Sequence, residues 1–410
     1  MRGEIFAGLD IGSTKIACII ADIGDDGTLR ITGVGTCPSH GYLRKGDVVD
    51  VGNTIRAIKV AVEQAETMAG VDIESVWVGI TGEHITSRTS TGTALINQEV
   101  MAADIERVIE SAKGIDIPSD QELLHVIPQG YDIDQHKDLK NPLGMSGVRL
   151  ETKVNIITAQ ATSVQNIVKC VEDAGLKLSK LVLEPLASSY AVLDKDEKEL
   201  GVALVDIGGG TTDIAVYVDG SIRHVAIIGC GGDNVTYDLS YLLRCSLEQA
   251  EELKKKEGCA YRPLLAARSE SIKIPGRGGR EDMDVGLDVF VGVIEARVEE
   301  ILSIALWHLR QTQYFDSLGA GVVLTGGGAM IKGMREKAEN IFQKPVRIGY
   351  PGGFGGLAEA VKQPMYSTGV GLCMFAAESC AGDTKDKSKP AGGRVGERIK
   401  SWFGQIGKYF

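Results

Sequence analysis

A short phrase occurs twice in this chain, 196 residues apart, and few folds accommodate such a repeat. Leu9-Asp10-Ile11-Gly12-Ser13-Thr14-Lys15 returns as Val205-Asp206-Ile207-Gly208-Gly209-Gly210-Thr211-Thr212-Asp213. Each copy has an apolar lead-in (Ile5 to Ala7; Val202 to Leu204), an Asp, a Gly-rich turn and an apolar exit (Ile16 to Ile20; Ile214 to Val218). The pattern reads strand, turn, strand. Glycine lets backbone N–H groups close on an anion with no Cβ in the way, and Ser and Thr hydroxyls add donors. An Asp at the mouth of such a turn holds Mg²⁺, most often through water, because Mg²⁺ dehydrates reluctantly. One turn alone says little; two describe a phosphate clamp between two similar lobes. Its expected members are Asp10, Gly12, Ser13, Thr14 and Lys15 on one wall and Asp206, Gly208, Gly209, Gly210, Thr211 and Thr212 on the other. Asp10 and Asp206 are the expected metal carboxylates.

A third element supports the clamp. Val322-Val323-Leu324-Thr325 runs into Gly326-Gly327-Gly328-Ala329-Met330 and then an expected helix, Ile331 to Phe342. Gly326, Gly327 and Gly328 would present backbone to the base and ribose side of a nucleotide. There is no G-x-x-x-x-G-K-[ST] and no G-x-G-x-x-G after a strand, which removes P-loop and dinucleotide-binding readings.

At 410 residues the chain exceeds what one growing core fills, so two or more domains are expected. A net charge of −11 argues against a nucleic-acid binder, which would carry a basic face. Eight Cys are scattered with no C-x-x-C, reading as free thiols in a reducing compartment. A strand pattern begins at Ile5 with no charged start and long apolar core before it, and no stretch has the length and apolarity of a bilayer span. The expectation is a cytoplasmic protein.

Strand patterns near 5–10, 16–21 and 29–35 are followed by a helix over 51–68, with Ile55, Ile58, Val62 and Ala65 on one face, and a strand over 76–81. Residues 84–162 then break the repeat: a polar stretch with a helix (103–113) and strands around 124–132 and 153–158. The expected division places a first lobe at 1–83 and 163–193 and an inserted subdomain at 84–162. A second lobe follows at 194–225 and 301–380, with its own insertion at 226–300. Asp194 to Lys198 reads as a charged, solvated crossing between lobes, and Gly276 to Arg280 as an exposed loop. Within the second insertion, Glu251 and Lys254 fit either nucleotide contact or the i,i+3 ion pairing of a solvated helix face.

Residues 381–393 carry no large apolar side chain and read as a flexible linker. Beyond them, at 394–410, Val395, Ile399, Trp402, Phe403, Ile406, Tyr409 and Phe410 fall within an arc about 120° wide at helical periodicity. Arg394, Arg398, Lys400 and Lys408 against Glu397 give this segment +3 in a chain of −11. A short cationic helix with Trp and Phe on one face, on a tether, is the pattern of an interfacial membrane anchor. The competing reading, a terminal helix docked on the protein's own core, leaves both the tether and the basic face without a purpose.

These motifs carry a resemblance. The chain resembles the actin, sugar-kinase and heat-shock-chaperone ATPase superfamily: its two phosphate motifs match Asp10 to Lys15 and Asp206 to Asp213, and its adenosine motif matches Thr325 to Met330. The two connecting helices match Leu183 to Tyr190 and Tyr366 to Leu372. Gly33 to Ser39, Leu124 to Gln129, Asn141 to Arg149 and Val346 to Gly349 narrow it to the bacterial cell-division FtsA family. The resemblance implies an α/β, actin-like two-lobed fold of duplicated mixed sheets, Mg-ATP between the lobes, and self-assembly into filaments. It implies as partners the C-terminal peptide of the tubulin-like division protein FtsZ, anionic inner-membrane lipid and other division proteins. Arg297 matches a position where the family uses a cation for the acidic FtsZ peptide, or is an ordinary surface Arg. Hydrolysis would need a group that orients water, for which Glu184 and Asp213 stand as candidates beside structural readings of each. A pilus-assembly ATPase of the same subfamily and a small-molecule kinase are the alternatives.

Overall fold

The computed structural model describes residues 4–39, 41–265, 271–274 and 281–386. The expected loop at 276–280, the linker beyond residue 386 and the tail residues Val395, Ile399, Trp402, Phe403, Ile406 and Phe410 lie outside the described residues.

The first Gly-rich turn joins β1 (Ile5–Ile11) to β2 (Lys15–Ile23), antiparallel, and β3 (Leu29–Pro38) extends the meander. A small hairpin absent from the sequence reading follows, β4 (Leu43–Arg44) and β5 (Asp47–Val48). Helix α1 (Val51–Ala69) starts because the Asp50 carboxylate accepts from Asn53 N at 3.0 Å, and stops at Gly70, which is left-handed at φ 65°. It buries Ala57, Ile58, Ala61, Val62 and Ala65; Ile55 is only half-buried. β6 (Ser75–Ile80) pairs parallel to β1.

The chain then leaves this sheet. β7 (Thr86–Glu99), α2 (Ala102–Ala112), β8 (Gln121–Ile133), β9 (His136–Leu139) and β10 (Ser146–Gln160) form a separate four-stranded sheet in the order β7-β10-β8-β9. The sequence reading misses β7, since its Thr- and Ser-rich run looks like loop. Ala94 and Ile96 alternate with exposed neighbours in a half-buried strand, and α2 covers their side of the sheet with Ile105, Val108 and Ile109.

Through α3 (Ala161–Asp173) the chain returns to β11 (Lys177–Leu183), parallel to β6, and then α4 (Glu184–Val192). The expected solvated crossing forms a short helix with no buried residue, α5 (Lys195–Leu200), whose Glu197 takes both Nε and Nη2 of Arg347 at 2.6 Å. The reason is local: Asp194 caps the helix and Glu197 closes the capping box.

The second half repeats the plan. β12 (Val202–Ile207), β13 (Thr212–Val218) and β14 (Ser221–Ile228) make the meander. Next come α6 (Gly232–Leu243), α7 (Leu247–Glu257), a ribbon of β15 (Ser271–Ile274) and β16 (Met283–Gly286), and the long α8 (Leu287–Gln311). Expected boundaries at 225/226 and 300/301 therefore fall inside β14 and α8. β17 (Val322–Thr325), α9 (Met334–Phe342), β18 (Val346–Ile348), β19 (Gly355–Gly356), α10 (Ala358–Val361) and α11 (Ser367–Asp386) complete the described chain. The helix expected from Ile331 is shorter, because Gly333 at φ 78° delays α9 to Met334. α11 continues into the expected linker as far as Asp386.

The two main sheets read β3-β2-β1-β6-β11 and β14-β13-β12-β17-β18, the same order strand for strand, with β19 added to the first. One apolar cluster runs through both halves, joining Phe6, Ile19, Leu186 and Phe375 to Leu204, Tyr217 and Val323. α4 and α11 form its spine. They approach so closely that a Cβ on Gly371 would lie 1.9 Å from Ala187 O, so only glycine fits there. No helix among the described residues is long and apolar enough to cross a membrane.

Candidate functional site

The repeat puts two equivalent turns opposite each other. Gly12 N donates to Lys15 O at 3.0 Å, and Gly208 N to Thr211 O at 2.9 Å. The turns also touch: a Cβ on Gly209 would stand 1.9 Å from Thr14 Oγ1, and one on Gly210 would stand 2.4 Å from Ser13 Oγ. A side chain at 209 or 210 would have to displace the facing hydroxyls. Thr14 Oγ1 donates to Asp233 Oδ1 at 3.1 Å, and Thr81 Oγ1 to Asp213 Oδ1 at 2.9 Å, so hydroxyls of one half meet carboxylates of the other.

Behind the turns lies a cleft of about 880 Å³. Asp10, Gly12, Ser13, Thr14, Lys15, Asp206, Gly208, Gly209, Gly210 and Thr211 line it, as do Glu251, Lys254, Gly326, Gly327 and Gly328. Thr212 does not. It opens β13 with its side chain on the other face, fully buried, donating to Cys230 O at 2.8 Å. The sequence reading leaves Thr81, Asp233 and Thr368 out of the site; Thr81 follows β6, Asp233 opens α6 and Thr368 opens α11, and the fold brings all three to the cleft.

The cleft floor concentrates negative charge. Burial pushes Asp206 up to about 6 against the pull of the Ser188 hydroxyl, which donates to it at 2.6 Å, and Asp10 pushes it further. Burial and then Asp206 raise Asp213 to about 8. Glu184 is raised well above the ordinary carboxylate range, by burial first and then by Asp10, Asp213 and Asp206. The cation here is Lys15, whose Nζ donates to Asp10 Oδ2 at 3.2 Å and lies 5.1 Å from the Tyr366 ring centre. A floor of crowded carboxylates suits a divalent cation. No group of three or more His, Cys, Asp or Glu with metal-holding geometry occurs among the described residues. Two carboxylates acting through water are what Mg²⁺ accepts.

On the far wall, Lys254 is buried, and its Nζ donates to Gly232 O at 2.9 Å and Thr236 Oγ1 at 2.8 Å and pairs with Glu251 at 2.5 Å. Burial opposes ionisation of Glu251, but Lys254 and the Thr236 hydroxyl hold it below the usual range. This is a fixed pair at the cleft wall, not a solvated face. Beyond it the wall turns apolar, with Leu264, Leu265, Leu287, Met330 and Ile331. Arg297 lies outside the cleft on α8, forking Asp238 at 2.6 and 3.0 Å and reaching Glu300 at 2.6 Å.

Two lobes of identical sheet order, closing on a cleft between matched Asp–Gly turns, define an actin-like protein. Solved structures agree on the fold. A type IV pilus biogenesis complex, PilM-PilN, matches with TM-score 0.65 at 15% identity over 91% of this chain and 98% of that one. MreB 5 of Spiroplasma citri bound to AMPPNP matches with TM-score 0.58 at 14% identity over 93% and 98%. Sequence comparison goes further. Family models described as "Cell division protein FtsA" and "SHS2 domain inserted in FTSA" match residues 203–371 and 82–158. The cell division protein FtsA of Pseudomonas aeruginosa is 44% identical over 98% of this chain and 97% of its own length, and that of Escherichia coli (strain K12) 40% over 98% and 97%. The chain belongs to the FtsA family of cell division proteins.

Proposed function

We propose that this protein binds Mg-ATP in the cleft, assembles with copies of itself on the cytoplasmic face of the inner membrane at the division site, and tethers FtsZ there. The observation that carries the reading is the pair of matched Gly turns with carboxylates behind them. Backbone N–H groups and hydroxyls at 12–15 and 208–211 would take the phosphates, and Lys15 would offset their charge. Asp10 and Asp206 would hold magnesium through water, and the ion would supply charge neutralisation at the phosphates. Lys254 and Glu251 sit where a ribose would lie, the 326–328 turn and the apolar wall where a base would.

A ligand gripping both walls binds the closed arrangement more tightly and shifts the population toward it. We assign the first lobe to 1–83 with 163–193 and its insertion to 84–162; the second lobe lies within 194–380, with its insertion between the end of β14 and the start of α8. The basic amphipathic segment 394–410, on a linker that follows Asp386, would lie in the membrane surface through Val395, Ile399, Trp402, Phe403, Ile406 and Phe410. Arg297 is offered as the cation for the acidic FtsZ peptide. To take it, the guanidinium exchanges Glu300, and exposed Tyr237 and Tyr241 on neighbouring α6 supply aromatic surface. The insertion at 84–162 is offered as the surface for filament contacts and other division proteins.

The test is co-sedimentation of FtsZ with vesicles of anionic lipid, with and without this protein and Mg-ATP. The expected result is FtsZ in the vesicle pellet only when this protein is present, increased by nucleotide. FtsZ remaining in the supernatant in every arm would overturn the reading.

A further inference from the structure

We propose that the strand-to-sheet connection Thr81–His84, braced by the β4–β5 hairpin, is a lever that converts closure of the cleft into movement of the inserted β7–β10 sheet. This rests on the reading that a nucleotide occupies the cleft.

The lever begins at the cleft floor. Thr81, immediately after β6, donates its hydroxyl to Asp213 of the opposite half at 2.9 Å. Two residues on, the Glu83 side chain lies against the backbone of Gly229, at the end of β14: a Cβ on Gly229 would meet Glu83 Cδ at 2.1 Å. Glu83 pairs with Lys45 Nζ at 3.1 Å, and the Lys45 backbone N stands 3.1 Å from where a Cβ of Gly210 would be. The connection and the hairpin therefore touch the second half at three points: Asp213, Gly229 and the Gly210 turn.

The other end of the lever is tied to the inserted sheet. Asp47 of β5 accepts from Ser163 Oγ at 2.6 Å, on the outgoing stem, and its Oδ1 lies 3.4 Å from Nδ1 of buried His84 on the incoming stem. Thr86 and Thr158 then join the two stems, Oγ1 to Oγ1, at 2.8 Å. The inserted sheet is thus held by two crossings clamped to one carboxylate, and that carboxylate's hairpin rests on a phosphate turn. The sheet also leans on the second half, with Gln129 Nε2 donating to Arg223 O at 3.1 Å on β14. Packed elements of this kind shift as units rather than stretch, so a change at Gly210 and Asp213 is carried to both stems. Coupling is reciprocal: whatever docks on the inserted sheet and biases its orientation also biases the cleft.

The experiment is hydrogen exchange by mass spectrometry on the full chain with and without Mg-AMPPNP, alongside titration with a fluorescent ATP analogue. In the wild type, nucleotide should slow exchange in residues 86–99 and 121–133 by at least about fivefold, the low end of ordinary coupling. Glu83→Gln and Asp47→Asn should keep nucleotide affinity within about twofold while losing most of that distant protection. Should Asp47→Asn fold poorly by circular dichroism, Glu83→Gln, which breaks an exposed pair, carries the comparison. Nucleotide binding with protection confined to the cleft, or variants that respond as the wild type does, would overturn the lever and leave the clamp standing. Absence of nucleotide binding would overturn both.

Discussion

At the scale of single residues, the cleft floor sets a pH dependence whose sign follows from its carboxylates. Asp206 and Asp213 titrate at about 6 and about 8, far above an unfolded Asp, because they are buried beside one another. The folded chain therefore keeps protons that the unfolded chain releases; this contribution to stability is whole only below about 3.9, where an unfolded Asp titrates, and is lost as pH rises from there, ending at about 6 for Asp206 and about 8 for Asp213. His125 works in the opposite direction. Buried and held neutral, accepting from Leu183 N at 3.0 Å, it titrates at about 3. Its contribution is complete above about 6.5, the unfolded value, and is lost as pH falls from there. Thermal melts of the nucleotide-free protein should therefore fall along an alkaline limb from about pH 6.5 to 8, where His125 adds nothing further and Asp213 is still losing its contribution. Asp213→Asn, which has no proton to lose, should flatten the alkaline limb. Magnesium binds ionised carboxylates, so magnesium-dependent nucleotide affinity should rise between about pH 5 and 7, through the Asp206 value of about 6; affinity that is flat or falling across that window contradicts the metal assignment to Asp206.

At the scale of elements, the spine formed by α4 and α11 is the most sensitive joint. Gly371→Ala gains about 1 kcal/mol of helix propensity, yet its methyl would sit 1.9 Å from Ala187 O. Overpacking of this sort costs about 1–3 kcal/mol, so urea denaturation should show a net loss of stability; an unchanged or raised midpoint would mean the helices can part freely. Elements of this kind were legible where one residue pattern had one physical outcome. The strands flanking Gly12 and Gly209 are buried on both faces and punctuated by glycine, and they fall where periodicity puts them. β7 was illegible because one of its faces meets solvent, so Thr and Ser mask the alternation of Ala94 and Ile96. At 194–198 the exposed charges were legible, but the pairing of Glu197 was not, because Arg347 comes from 150 residues away. Site residues followed the same division. Those inside the repeated phrase were readable, whereas Thr81, Asp233 and Thr368 come from the end of β6 and the starts of α6 and α11 and meet at the cleft only in the folded chain, and nothing local marks Thr212 as turned away.

At the scale of the whole molecule, membrane attachment should depend on assembly more than on any one chain. The proposed tail helix offers Trp402, Phe403, Ile399, Ile406 and Phe410 to the lipid surface, but Gly396, Gly404 and Gly407 each weaken it by about 1 kcal/mol relative to Ala. Ordering it costs on the order of 1 kcal/mol of backbone entropy per residue, and immersion in an interface is partial. A single tail is therefore a weak, reversible anchor. Joined copies turn later contacts into intramolecular ones, and avidity can exceed a single affinity by about 100-fold or more. Vesicle flotation should accordingly rise steeply with protein concentration and with Mg-ATP, rather than follow a simple hyperbola. Trp402→Ala removes about 1.5–3 kcal/mol at most per tail. It should move the midpoint to higher concentration by more than the about tenfold that 1.4 kcal/mol gives a monomer, because each joined copy carries the same loss. A hyperbolic curve, with midpoint unmoved by nucleotide and Trp402→Ala shifting it only as one tail would, means that chains reach the membrane singly and that assembly contributes nothing to holding them there.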